Sequence, residues 1–136
     1  LCIISPSSAV IRRSVFDAAG VFDESLPVCE DYDMWLRITA RFPVTFIQKH
    51  LIIKRGGHPD QLSRAYDGMD RFRIASIVKV LDSGVLSPGQ TRKAIGELRT
   101  KCRIYAGGAM KRGKKEEGER YLRLASAYED EATQGE

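Results

Sequence analysis

The sequence predicts a helix-rich α+β protein, and three observations carry that expectation. Short apolar runs broken by Gly and Pro fill residues 1–62, the pattern of a few short strands and one or two short helices. Three long stretches of helical periodicity fill residues 63–136. The 136 residues, 43% hydrophobic and 29% charged, suffice for one domain with an appendage and exclude wholesale disorder. The expected organisation is therefore a mixed first part, 1–62, and a helical appendage, 63–136.

Residues 8–12, Ser-Ala-Val-Ile-Arg, read as a strand. Ser14 and Asp17 have the spacing of a capping box, so a short helix should start there and stop at Gly20. A loop through Pro27 leads to a helix over 30–42, which Pro43 ends because proline disfavours helical geometry in the residue before it. Residues 44–48 and 51–55 read as two further strands. Gly56-Gly57-His58-Pro59 opens a loop.

The second half begins with Ile74, Ile77, Val78 and Leu81 on one helical face, closed by Gly84. Ser87-Pro88-Gly89-Gln90 is a helix start with Ser as N-cap, Pro at the first position and Gln at the third. Ile95, Leu98, Cys102, Tyr105 and Ala109 form its seam, with Gly113 as the stop. A last helix carries Tyr121, Leu122, Ala125 and Tyr128 on one face and frays after about Ala132. Gly107 and Gly108 lie inside a helical pattern and suggest close helix packing rather than a phosphate loop. The segment from Ile104 to Ala125 resembles a single tetratricopeptide-type hairpin, with Gly118 where that family has Ala. A generic antiparallel hairpin explains it equally well.

Several function classes are not supported. No apolar run approaches the 18 residues a membrane helix needs. Cys2, Cys29 and Cys102 are far apart and contain no Cys-X-X-Cys pair, so free thiols are expected rather than a zinc site. No Gly-X-Gly-X-X-Gly or Walker-type loop occurs. The formal charge of +4 is the sole argument for nucleic acid, and none is expected as a partner. Basic clusters at Arg12-Arg13 and around Lys111, Arg112, Lys114 and Lys115 read as solvated surface, with weak attraction to anionic lipid as the alternative.

Three carboxylates crowd the start of the 30–42 helix. Asp31, Trp35, Ile38 and Phe42 share one helical stripe, so Asp31 is expected to top the buried face. Glu30, Asp33, Arg37 and Arg41 fall on a polar face, with Asp33 and Arg37 spaced as a surface ion pair. A carboxylate at a helix N-terminus is held ionised by the dipole and free N–H groups, which is what a general base requires. Capping of its own helix is the competing role for Asp31. Trp35 belongs to the core. Tyr32 lies off the stripe and is expected to be exposed. His58 could bind a metal or phosphate, or be plain surface.

These pieces resemble a known family when taken in order: Ser8 to Arg13, Val15-Phe16, Gly20 to Glu24, Glu30 to Arg37, and His58 to Ser63. Residues 3–63 resemble the C-terminal part of the catalytic domain of family 2 glycosyltransferases, inverting enzymes of the GT-A fold. The resemblance implies an incomplete, acceptor-side GT-A α/β half with a few short strands. It implies a nucleotide-diphosphate sugar donor, a hydroxyl acceptor, and Mg²⁺ or Mn²⁺ whose main ligands lie outside this chain. Asp31 matches the general base and Glu30 an orienting acid. Tyr32 would contact the acceptor, with His58 and Arg55 on the diphosphate and metal side. The chain opens Leu1-Cys2-Ile3-Ile4 and lacks the upstream nucleotide-binding strands to which the family's metal-binding Asp-X-Asp belongs, so a piece of a longer enzyme, inactive by itself, is expected. No Gln-X-X-Arg-Trp motif occurs, which points to a non-processive parent. A role in cell-surface polysaccharide synthesis follows, in the cytoplasm or at the inner face of the membrane by peripheral association. Exposed strand edges would favour a homodimer. The alternative from another class is a helical interaction module without catalysis.

Overall fold

A computed structural model describes residues 4–53, 55, 66 and 68–134, with side-chain surroundings up to residue 130. The chain divides into two compact units, Leu1–Asp67 and Gly68–Glu136. The described residues hold five α-helices: α1 (Arg13–Ala19), α2 (Glu30–Thr39), α3 (Asp70–Asp82), α4 (Pro88–Lys111) and α5 (Lys115–Gln134). A 3₁₀ turn spans Pro6–Ser8.

The expected α+β class is corrected on one point. Helix-rich it is, but the described residues form no strand, so they do not build the expected GT-A-type half with short strands. Residues 9–12 and 44–53 carry the right side chains yet remain irregular. A strand exists through the backbone ladder it makes with a neighbour, and apolar β-branched sequence alone does not supply one. The result is visible in the exposure of Phe46 (82%) and Ile53 (88%).

In the first unit, α1 starts at Arg13 rather than after Ser14, with Arg12 as N-cap and no side-chain cap bond, so the expected capping box does not form. Its end is as expected: Gly20 takes φ 77°, where a Cβ would be strained, and its N–H bonds the Phe16 carbonyl at 2.8 Å. Asp23 then organises the loop. Its Oδ1 accepts from the Ser25 N–H at 3.0 Å and the Ser25 hydroxyl at 2.6 Å. The core of this unit joins Ala19 of α1 to Met34, Trp35 and Ile38 of α2, with Ile4, Ala9, Ile11, Val15, Phe16 and Phe42 packed around them. Trp35 is thus a core residue, as its stripe position predicts.

The second unit follows its sequence pattern closely. Ser87 and Gln90 form the reciprocal capping box, with Gln90 N–H to Ser87 Oγ at 3.3 Å and Ser87 N–H to Gln90 Oε1 at 2.8 Å. All five seam residues of α4 are buried: Ile95, Leu98, Cys102, Tyr105 and Ala109. In α3 the buried apolar set is Ile74, Ile77 and Val80. Gly84 and Gly113 end α3 and α4 at positive φ. The α5 face is rotated from expectation. Gly118 and Ala125 are buried, and Tyr121 and Tyr128 half-buried, while Leu122 is exposed. Close approach of α4 and α5 uses Gly118, not Gly107 or Gly108. A Cβ on Gly118 would stand 2.9 Å from Met110 Cγ and 3.1 Å from the Ala106 carbonyl oxygen, whereas one on Gly107 meets nothing within 4 Å.

Candidate functional site

The first turn of α2 holds the residues that the sequence singled out. Cys29 precedes it in the left-handed region, φ 64°, the one positive-φ residue other than Gly among those described. That conformation costs on the order of 1 kcal/mol for a residue with a Cβ. It turns the chain sharply into the helix, so Glu30, Asp31 and Asp33 all fall in the opening turn. The helix hydrogen bonds begin with Asp33 N–H to the Cys29 carbonyl at 3.1 Å. The N–H of Tyr32 lies before that point and is satisfied instead by Asp31, whose Oδ1 accepts it at 2.7 Å. Asp31 is half-buried, and its other oxygen makes no hydrogen bond among the described residues. One Asp31 oxygen thus takes up a free N–H of its own first turn.

Two neighbours differ from expectation. Tyr32 is buried, not exposed. Asp33 is also buried, at 1% exposure, and its partnership with Arg37 is not a surface ion pair. Arg37 Nε donates to Asp33 Oδ2 at 2.8 Å, and the Arg37 side chain is itself only 15% exposed. The two remaining guanidinium nitrogens reach across to the preceding segment. Nη1 donates to the Ala19 carbonyl and Nη2 to the Val21 carbonyl, the latter at 2.7 Å. The helical wheel failed here because it assumes one wet face. Val28, Cys29, Tyr32, Met34 and Trp35 are all buried, so the first turn of α2 is enclosed on several sides. The signal in the sequence was the apolar flank of Asp33, Tyr32 on one side and Met34 on the other.

Arg55 is exposed and makes no hydrogen bond or ion pair among the described residues. His58 lies outside the described residues. No three His, Cys, Asp or Glu side chains converge on a metal position among the described residues.

A second polar cluster holds the other unit together. Asp70, in the first turn of α3, accepts from Arg73 at 2.9 Å and from the buried Lys101 of α4 at 3.5 Å. Lys101 also pairs with Glu97 at 3.3 Å. Burial alone would raise the Asp70 pKa, but the Arg73 and Lys101 partners outweigh it and hold the carboxyl below its usual value. Tyr105 donates to Glu117 of α5 at 2.7 Å, and its ring meets Tyr121 at 4.4 Å between centroids. Burial first, and the Glu117 carboxylate second, push the Tyr105 phenol up to about 12. Burial likewise pushes the Cys102 thiol up to about 11, the behaviour of an inert core cysteine. Farther along, Tyr128 donates to Asp82 at 2.6 Å and Arg99 to Glu129 at 2.6 Å, tying α5 to α3 and α4.

Comparison with known proteins gives a partial likeness. Over 62 residues the chain is 34% identical to a protein of Rickettsia felis named an uncharacterized glycosyltransferase. It is 32% identical over 62 residues to a protein of Rickettsia conorii with the same description. Each match takes in 46% of this chain and 10% of the relative, so the chain spans about a tenth of the length of these curated relatives. No family model matches, and no solved structure matches. The chain is thus similar, over nearly half its length, to proteins named as glycosyltransferases. No described helix is long and apolar enough to cross a membrane.

Proposed function

We propose that this chain is part of an inverting, family 2 glycosyltransferase that moves a sugar from a nucleotide-diphosphate donor to an acceptor hydroxyl. The observation that carries the reading is the 62-residue similarity to proteins named glycosyltransferases. The acid pair Glu30-Asp31 at the start of α2 supports it. Asp31 is the base. Its uncapped oxygen takes the acceptor proton as the acceptor oxygen bonds to the anomeric carbon, and the bonding pair on the opposite face leaves with the diphosphate. The Tyr32 N–H fixes the other Asp31 oxygen, so the carboxylate presents one basic lone pair in a set direction. Glu30 orients the acceptor, the buried Tyr32 ring backs it, and Arg55 and His58 serve the diphosphate side.

The test is Asp31→Asn in the enzyme to which this chain contributes. Loss of a general base predicts a fall in kcat of about 10²–10⁴-fold. Donor affinity should stay within about twofold, since the base touches the acceptor. Near-normal turnover in Asp31→Asn overturns the assignment.

A further inference from the structure

The buried pair Asp33–Arg37 has no part in the chemistry just described, yet among the described residues it is the most enclosed charged group of the first unit. Its geometry is that of a clamp. Asp33 holds the guanidinium by Nε, and the two outer nitrogens bind the carbonyls of Ala19 and Val21, at the end of α1 and beyond Gly20. Gly20 is shaped to this purpose: a Cβ there would stand 3.2 Å from Arg37 Nη1. The planar fork of Arg can make these three bonds at once, and Lys cannot.

We propose that Arg37 is a positioning residue that sets the rotation of α2, and through it the direction of the Asp31 carboxylate. The inference rests on the assignment of Asp31 as base. A helix is stiff, so tying it to the Ala19 and Val21 carbonyls through Arg37, with Asp33 holding the guanidinium in place, fixes the azimuth of residue 31. Side-chain tips lie about 5–6 Å from the helix axis, so a 10° rotation displaces the Asp31 oxygens by about 1 Å. A misplacement of that size costs on the order of 10²-fold in rate. Retaining charge without the fork should therefore damage turnover more than binding.

Two variants test this. Arg37→Lys keeps the charge and loses the bonds to Ala19 and Val21. The double variant Asp33→Leu with Arg37→Met replaces the charge pair by apolar groups, a change that buried pairs tolerate without loss of stability. It guards against a failure of Arg37→Lys to fold. The first readout is amide hydrogen exchange in the 136-residue chain, and it needs no activity. The Tyr32 N–H, bonded to Asp31, should exchange at least about tenfold faster in either variant, while the amides of Met34, Trp35 and Ile38 keep their protection. The second readout is transfer kinetics in the enzyme, with kcat down about 10²-fold and donor KM within about twofold. Uniform acceleration of all α2 amides, or a Tyr32 rate equal to wild type, overturns the positioning role. If exchange changes as expected but Asp31→Asn retains full turnover, it is the base assignment that fails, and the geometric link stands without a catalytic consequence.

Discussion

Gly118 gives the most quantitative test of how the helical unit is packed. Replacing a helix-interior Gly by Ala ordinarily stabilises by about 1 kcal/mol, because the unfolded chain loses freedom and the helix gains propensity. At Gly118 the new Cβ would meet Met110 Cγ at 2.9 Å, Met110 Cε at 3.2 Å and the Ala106 carbonyl at 3.1 Å. Met110 is 38% exposed and its flexible end can swing away. The Ala106 carbonyl belongs to α4 backbone and cannot move without separating the two helices. Overpacking of this kind costs about 1–3 kcal/mol. The clash is expected to win, leaving Gly118→Ala less stable by about 1 kcal/mol. Gly107→Ala, where nothing lies within 4 Å, is the matched control and should be more stable by about 1 kcal/mol. The two variants then differ by about 2 kcal/mol, or about 8–16 °C in Tm for a unit of this size. Thermal melts followed by circular dichroism at 222 nm report this unit, which holds the three long helices. If Gly118→Ala melts as high as Gly107→Ala, the close α4–α5 approach described here is wrong.

Asp33→Ala should destabilise the first unit by about 3–5 kcal/mol, since it strands a guanidinium in a nearly closed site; urea unfolding followed by Trp35 fluorescence measures it. Asp70 is held below its usual pKa in the folded state, so the folded chain binds fewer protons there than the unfolded one. Its contribution is present above about pH 4 and lost as pH falls through the folded value, and Asp70→Asn should flatten the acid limb of the stability profile. Tyr105 is raised to about 12, so its contribution is present below about pH 10 and lost as pH rises toward 12. Absorbance titration at 295 nm should show a tyrosine ionising only as pH approaches about 12, and Tyr105→Phe should remove it. Cys102 should resist thiol reagents at pH 8 in the native chain and react once urea unfolds it, as peptide mapping would show.

The second unit was legible in the sequence because its determinants are local. Ser87 and Gln90 sit three residues apart and cap each other directly, and the α4 seam lies on one side of a long, continuous helix. Gly84 and Gly113 stop their helices through their own backbone freedom. The rotated face of α5 was not legible, because which side of that helix is buried depends on Gly118 admitting α4 rather than on where Leu122 falls.

In the first unit the sequence by itself determined that α2 exists, that acids open it and that Trp35 joins the core. Tertiary structure decided the rest. Residues 44–53 have strand composition without a ladder partner among the described residues, so their pattern did not become a strand. Asp33 and Arg37 have the spacing of a surface pair, but enclosure of the α2 start turned them into a buried clamp on α1. Periodicity can tell which residues share a helical face. Which faces are dry depends on the segments packed against them, and those are set by contacts far apart in the chain.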